Sequence, residues 1–164
     1  REFQGYAYDG AEASFELLAR RTLGTVPDYF RLNSFRVIDE RRYNAAGQLV
    51  TMSEATVKVE VGGEQVMTVA EGNGPVNALD FALRKALEPA YPALVGVKLT
   101  DYKVRILTPG DGTAALTRVM IESADPAGDR WVTVGVSGNI INASYEALHD
   151  ALVHRLHSTA RAAA

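Results

Sequence analysis

The sequence has no cysteine in its 164 residues. That removes disulfides, thiolate metal sites and thiol nucleophiles together, and it fits a cytoplasmic protein. No run of about 18 apolar residues exists, so no helix is expected to span a membrane, and no charged-then-apolar leader of the signal-peptide kind is seen. Positive charge is also scarce: 17 Lys and Arg stand against 20 Asp and Glu, a formal net charge of −3. A nucleic-acid surface needs a basic face, and the pairs Arg20-Arg21 and Arg41-Arg42 are too short and too mixed with acids to make one. An initiator methionine is absent as well. The chain opens at Arg1 and is expected to be a piece cut from a longer protein.

What is present is the material of a folded domain, 47% apolar and 23% charged, long enough for one domain or one domain with an appendage. DGAEASFELLARRT (9–22) reads as a short amphipathic helix, with Asp9 as cap, Glu12 completing a capping-box spacing, and Ala11, Phe15, Leu18 and Thr22 on one face. Three strand patterns follow, FRVIDERRY (35–43), LVTMSEATVKVEV (49–61) and QVMTVA (65–70), separated by the turn signals NAAGQ and GGE. GPVNALDFALRKALE then runs helically, with Val76, Leu79, Leu83 and Leu87 on a stripe and Pro75 in the first turn, where its missing N–H costs nothing.

The same order then recurs. LTDYKVRIL (99–107), AALTRVMIES (114–123) and RWVTVGV (130–136) read as strands, and NIINASYEALHDALVHRL as a helix. A constant shift that lays Asn77 on Asn142 also pairs Thr68 with Thr133, Val69 with Val134, Ala78 with Ala143, Ala82 with Ala147, Leu83 with Leu148, Ala86 with Ala151 and Leu87 with Leu152. An internal duplication is the most economical account. It predicts an α+β domain of two βββα repeats related by a pseudo-twofold, with antiparallel strands and packed helices. The repeats cover about 35–90 and 98–158, inside a domain of 31–164 that a connector helix and linker (1–30) precede.

No catalytic constellation stands out. The loop EGNGPVN (71–77) lacks the Lys and Ser/Thr of a phosphate-binding P-loop and is not GxGxxG. It is either a plain strand-to-helix turn whose glycines adopt positive φ, or a helix start that holds a small carboxylate or phosphate. His149, His154 and His157 share the last helix without a further ligand and are expected at a solvent-facing helix end, with no metal site. Asp101 beside Tyr102 is either a solvated strand-edge acid or an acceptor for a ligand amine, and Trp131 is expected in the core. A small enzyme using Asp80 or His149 has no supporting constellation.

AEGNGPVNALDFALRKALEPAYP, LTDYKVRIL, GTAALTRVMIES and WVTVGVSGNIINASYEAL, in that order, resemble the C-terminal regulatory domain of the isopropylmalate synthase and citramalate synthase family. EFQGYAYDGAEASFELLARR resembles its helical connector, and the wording of the motifs is closer to the citramalate synthase branch. The resemblance implies an amino-acid-binding allosteric domain, not itself an enzyme. It would give feedback inhibition by isoleucine to a synthase that condenses acetyl-CoA with pyruvate on a TIM-barrel domain absent from this chain. The alternatives are a leucine-binding domain of 2-isopropylmalate synthase and a dimerisation module without effector. Cofactors are expected only in the parent, a divalent metal and acetyl-CoA. The partners implied are the effector, a second copy in a homodimer and the TIM barrel, with no nucleic acid and no membrane. Carried over by motif, the effector residues are Asn73, Gly74, Pro75, Val76 and Asn77 of the loop, and Leu99, Asp101 and Tyr102 of the LTDY strand. Thr113 and Ala115 of the strand after GDGT, and Ile140 of the second turn, complete them. The effector's ammonium would take Asp101 or backbone carbonyls.

Overall fold

A computed structural model describes residues 1–163; residue 164, the expected end of the regulatory domain, lies outside them. In chain order the elements are α1 (Glu12–Thr22), β1 (Arg31–Tyr43), β2 (Leu49–Val61), β3 (Glu64–Gly72), α2 (Pro75–Leu87), β4 (Lys98–Ile106), β5 (Thr117–Ala124), β6 (Arg130–Ser137) and α3 (Ile140–Ala162). The strands form two antiparallel three-stranded sheets, ordered β1-β2-β3 and β4-β5-β6, each followed by its helix. This is the duplicated α+β architecture expected from the sequence. The chain divides into two compact units, Asp28–Pro92, and Arg1–Pro27 joined to the chain from Ala93 onward.

In the unit of Asp28–Pro92, alternation in β2 buries Ala55, Val57 and Val59 completely on one face, the period of a strand with one covered side. Gly62 and Gly63, at φ 61° and 83°, make the two-residue turn into β3, a geometry glycine adopts without a Cβ penalty. At the other hairpin, Asn44 Oδ1 accepts from the N–H groups of Ala46 (3.0 Å) and Gln48 (2.9 Å). α2 covers the sheet with Leu79, Leu83 and Leu87, all fully buried, each contributing on the order of 1.5–3 kcal/mol.

The second unit repeats this with a closer fit. Trp131, Thr133 and Gly135 occupy alternate positions on β6, and the carbonyls of Ala151, Ala147 and Ala143 occupy every fourth position on α3. Two strand residues rise about as far as four helical ones, so the rows meet. Trp131 Nε1 donates to Ala151 O (3.0 Å) and Thr133 Oγ1 to Ala147 O (2.7 Å). Beside Ala143 O there is no room for a side chain, and Gly135 is there. The middle contact exists in both units: Thr68 Oγ1 donates to Ala82 O at 2.7 Å. The paired threonines and alanines of the duplication are thus one hydrogen bond made twice. Both first strands also carry an irregularity at their third residue, between Leu32 and Ser34 and between Leu99 and Asp101.

Three expectations are corrected. Asp9 does not cap α1: the helix starts after Ala11 without a side-chain cap. Its buried face is Ala13, Ser14 and Leu17, while Phe15 is 56% exposed. The displacement follows from Ser14, whose hydroxyl donates to Asp150 Oδ2 (2.9 Å) and accepts from the Val134 N–H (3.0 Å), so a polar residue holds the inner face. The histidines do not sit at a solvent-facing end: His157 is buried, and His154 packs its ring against Trp131 at 5.9 Å. Trp131 itself is core, as expected.

Candidate functional site

The two helix starts are equivalent positions, since the shift that aligns the repeats lays Gly74 on Asn139, Val76 on Ile141 and Asn77 on Asn142. A helix start leaves backbone N–H groups without intrahelical carbonyls. In α3 the Asn139 side chain satisfies them, its Oδ1 accepting from Ile141 N–H (2.9 Å) and Asn142 N–H (3.2 Å). In α2 Gly74 stands in that place, and no side-chain cap forms. Pro75 occupies the first turn and has no N–H, so the open donors are Val76 and Asn77. The helix dipole adds partial positive charge at the same point.

Space is open there too. Nothing lies within 4 Å of where a Cβ on Gly74 would be. Its φ of −168° is extended backbone that any residue adopts. The expectation of positive φ in this loop is therefore corrected, for neither Gly72 nor Gly74 has it. Gly72 answers a close approach instead: a Cβ would stand 2.5 Å from Ala78 N and 2.8 Å from Asn77 Oδ1. That Oδ1 accepts from Asn73 N–H at 3.0 Å, which removes the Asn73 N–H from the donors offered outward.

The other six expected residues lie in the second unit. Tyr102 reaches the first turn of α3: its hydroxyl is 2.8 Å from Ser144 Oγ, which donates to Ile140 O at 2.7 Å. Ile140 is 43% exposed. Asp101 is engaged by Lys103 at 2.9 Å and accepts from Tyr102 N–H. The bond to Lys103 holds its carboxyl below the usual range, with the Tyr102 N–H adding to it. Leu99 is at the far end of β4 from Ile106, about 24 Å away at strand spacing. Thr113 and Ala115 were expected on a strand, and that is corrected: Thr113 belongs to a 3-10 turn (Pro109–Ala114), Ala115 follows it, and β5 starts at Thr117. Pro109 and the φ of 59° at Gly112 bend the chain before the ladder begins.

Sequence reasoning passed over a third place, a cleft of about 270 Å³ between the N-terminal segment and α3, lined by Tyr6, Ser14, Arg21, Tyr145, Glu146 and Asp150 among others. Its acids are internally bonded. Glu146 accepts from Tyr6 OH (2.6 Å) and Val136 N–H (3.1 Å), and Asp150 from Ser14 and from Arg21 (2.8 Å). Burial and Glu146 push the Tyr6 phenol up to about 12. For Asp150 burial acts upward, but His149, Arg21 and Ser14 outweigh it and hold the carboxyl below its ordinary range. These bonds tie the N-terminal segment to α3.

Further along that seam, His154 and His157 are both held below the usual imidazole range. Burial is the main cause for each, helped by Arg20 and, at His157, by Arg161; the Glu16 carboxylate opposes it. Folded-state values below about 6.5 mean that the unfolded chain binds more protons as pH falls through that value, so stability is present above it and lost below. The melting temperature is expected to fall between pH 7.5 and 5.5, and His157→Leu to flatten that slope. A melting temperature independent of pH over this window contradicts the account.

Among the described residues, no group of three or more His, Asp or Glu is placed to hold a metal ion, and no helix is long and apolar enough to cross a membrane.

Together these features define a duplicated βββα module whose two helix starts have diverged, one capped by its own asparagine and one left open. Residues 9–156 match the LeuA allosteric (dimerisation) domain, and the chain belongs to that family. It is 58% identical over 158 residues to an (R)-citramalate synthase of Geobacter sulfurreducens, covering 96% of this chain and 29% of that protein. It is 51% identical over 156 residues to the (R)-citramalate synthase of Synechocystis sp., covering 94% and 28%. A 2-isopropylmalate synthase of Aquifex aeolicus is 42% identical over 100 residues, 60% of this chain and 17% of that protein. The chain thus spans less than a third of the length of these relatives.

Proposed function

We propose that this chain is the amino-acid-sensing part of a cytoplasmic citramalate synthase, binding isoleucine and thereby lowering the activity of the rest of the protein. The observation that carries the reading is the open start of α2, where Gly74 replaces the asparagine that caps α3, no side chain caps the helix and the space beside Gly74 is unfilled. Val76 N–H and Asn77 N–H suit a carboxylate, as hydrogen bonds to a charged partner contribute on the order of 1.5–3 kcal/mol each. The higher identity to (R)-citramalate synthases than to a 2-isopropylmalate synthase supports isoleucine over leucine. The remaining part of the protein would be the TIM barrel that condenses acetyl-CoA with pyruvate using a divalent metal. This chain would be non-catalytic and would form a homodimer. Inhibition requires isoleucine to bind the less active state of the whole protein more tightly than the active one.

Calorimetric titration of the chain with isoleucine, leucine and valine tests this. Isoleucine is expected to bind most tightly, although one methyl placement is worth only about 1–3 kcal/mol. A folded chain that binds none of the three sinks the effector reading, and tightest binding of leucine moves the chain to the isopropylmalate branch.

A further inference from the structure

We propose that Asn73 is a site of covalent modification: the Gly74 nitrogen attacks its side-chain amide, which becomes a carboxylate, and the new charge weakens effector binding at the start of α2. The modification stands on the chain's own chemistry. Its effect on binding rests on the isoleucine reading above.

Of the chain's asparagines only Asn73 precedes a glycine. To close a cyclic imide, the next residue's nitrogen must reach the asparagine Cγ, and a side chain on that residue obstructs the approach; glycine has none. Asn73 is exposed, and nothing lies within 4 Å of where a Cβ on Gly74 would be. The Asn73 backbone N–H is held by Asn77 Oδ1 at 3.0 Å. Among the described residues, however, no acceptor stands on the Gly74 N–H, the group that must react. The other asparagines are restrained. Asn44 Oδ1 takes two backbone N–H groups and its Nδ2 donates to Gln48. Asn139 caps α3 and precedes the branched Ile140. Asn77 and Asn142 precede Ala78 and Ala143, whose N–H groups are bonded to Gly74 O (2.9 Å) and Asn139 O (3.0 Å). Asn33 lies within β1, ahead of a residue with a side chain.

In the reaction a bond forms between Gly74 N and Asn73 Cγ, and the Cγ–Nδ2 bond breaks. Nδ2 leaves as ammonia with the proton lost from Gly74 N. Water then opens the imide at either carbonyl. One product is aspartate; the other is isoaspartate, in which the backbone runs through the side chain. Both place a negative charge one residue before Gly74. The helix dipole favours that charge, but a ligand carboxylate at the same helix start is repelled by it. Isoaspartate also adds a backbone atom where there is no slack, since a Cβ on Gly72 would stand 2.5 Å from Ala78 N.

Incubation of the chain at neutral and mildly alkaline pH, followed by peptide mass spectrometry, tests the site. The mass gain of an amide-to-acid exchange is expected at Asn73 before any other asparagine. It should be faster in alkali, because Gly74 N must lose its proton, and much slower in Gly74→Ala. Equal conversion at Asn73 and Asn77, or a rate that Gly74→Ala leaves unchanged, overturns the site. Calorimetry of Asn73→Asp tests the consequence. This variant is expected to bind isoleucine about tenfold more weakly than the unaltered chain, as a like charge beside the carboxylate requires. Asn73→Gln, which keeps a neutral amide, should bind nearly as the unaltered chain does. Undiminished binding by Asn73→Asp, or an equal loss in both variants, overturns the effect of charge. An unaltered chain that binds no isoleucine while Asn73 converts as expected overturns the effector reading and leaves the modification standing.

Discussion

Gly135→Ala is expected to unfold the second unit under conditions where the unaltered chain is stable. The methyl would enter the van der Waals envelope of the Ala143 carbonyl oxygen and stand 2.9 Å from Glu146 Cβ. Ala143 is held in the first turn of α3 by its own N–H bond to Asn139 O (3.0 Å), so the obstacle is helix backbone and cannot rotate aside. Relief comes only by lifting α3, which stretches the Thr133 and Trp131 bonds that register the helix on β6. Overpacking of this kind costs on the order of 3 kcal/mol, a large share of the roughly 5–15 kcal/mol of a domain, and corresponds to about 10 °C or more in melting temperature. Gly110→Ala is the control: nothing lies within 4 Å of its added Cβ, and no comparable change is expected. Thermal melts of the two variants decide it. Equal melting temperatures would mean that α3 sits farther from β6 than described.

The duplication explains why this glycine is needed only once. Ala70 is the counterpart of Gly135, and in that unit the close approach falls two residues later, at Gly72 against Ala78 N. The helices therefore lie on their sheets with a small difference in placement that no alignment of the repeats reveals.

That contrast marks the limit of what is legible in the sequence. Period-two runs with strong turn residues placed β2 at residues 49–61 without error, and the leucine stripe placed α2, because both depend on local pattern and on one buried face. The alignment of Thr68 with Thr133 and Ala82 with Ala147 contained a real contact, visible as identity before its hydrogen bond was known. The misplaced face of α1 has a clear cause: a polar group satisfied by something distant in sequence. Ser14 turned α1 onto a face that hydrophobicity does not mark, because its partners are Asp150 and Val134 N–H. His157 is buried far from any pattern that announces it. At LTDY the irregularity between Leu99 and Asp101 interrupts the alternation, so spacing alone does not assign a face to either side chain. The open helix start was half legible. The glycines were visible, but their reason was read as positive φ when it is room at Gly74 and close approach at Gly72.

Gly74→Asn is expected to stabilise the chain and to abolish isoleucine binding, two effects of opposite benefit from one substitution. The backbone at Gly74 is extended, as it is at Asn139 (φ −109°, ψ 117°), and the space beside it is empty. An asparagine there can fold its Oδ1 onto the N–H groups of Val76 and Asn77, as Asn139 does onto Ile141 and Asn142. Capping in place of glycine contributes a few tenths of a kcal/mol, seen as a slightly higher melting temperature. The same bonds remove the donors offered to the carboxylate, so affinity should fall at least about 100-fold, or roughly 2.7 kcal/mol. Gly74→Ala separates the causes: it adds bulk without a cap and should keep most of the binding. Amide hydrogen exchange at Val76 and Asn77 reports whether the cap forms. A Gly74→Asn chain that protects both amides and still binds isoleucine as before would show that the carboxylate lies elsewhere, since one pair of N–H groups cannot serve both acceptors at full strength.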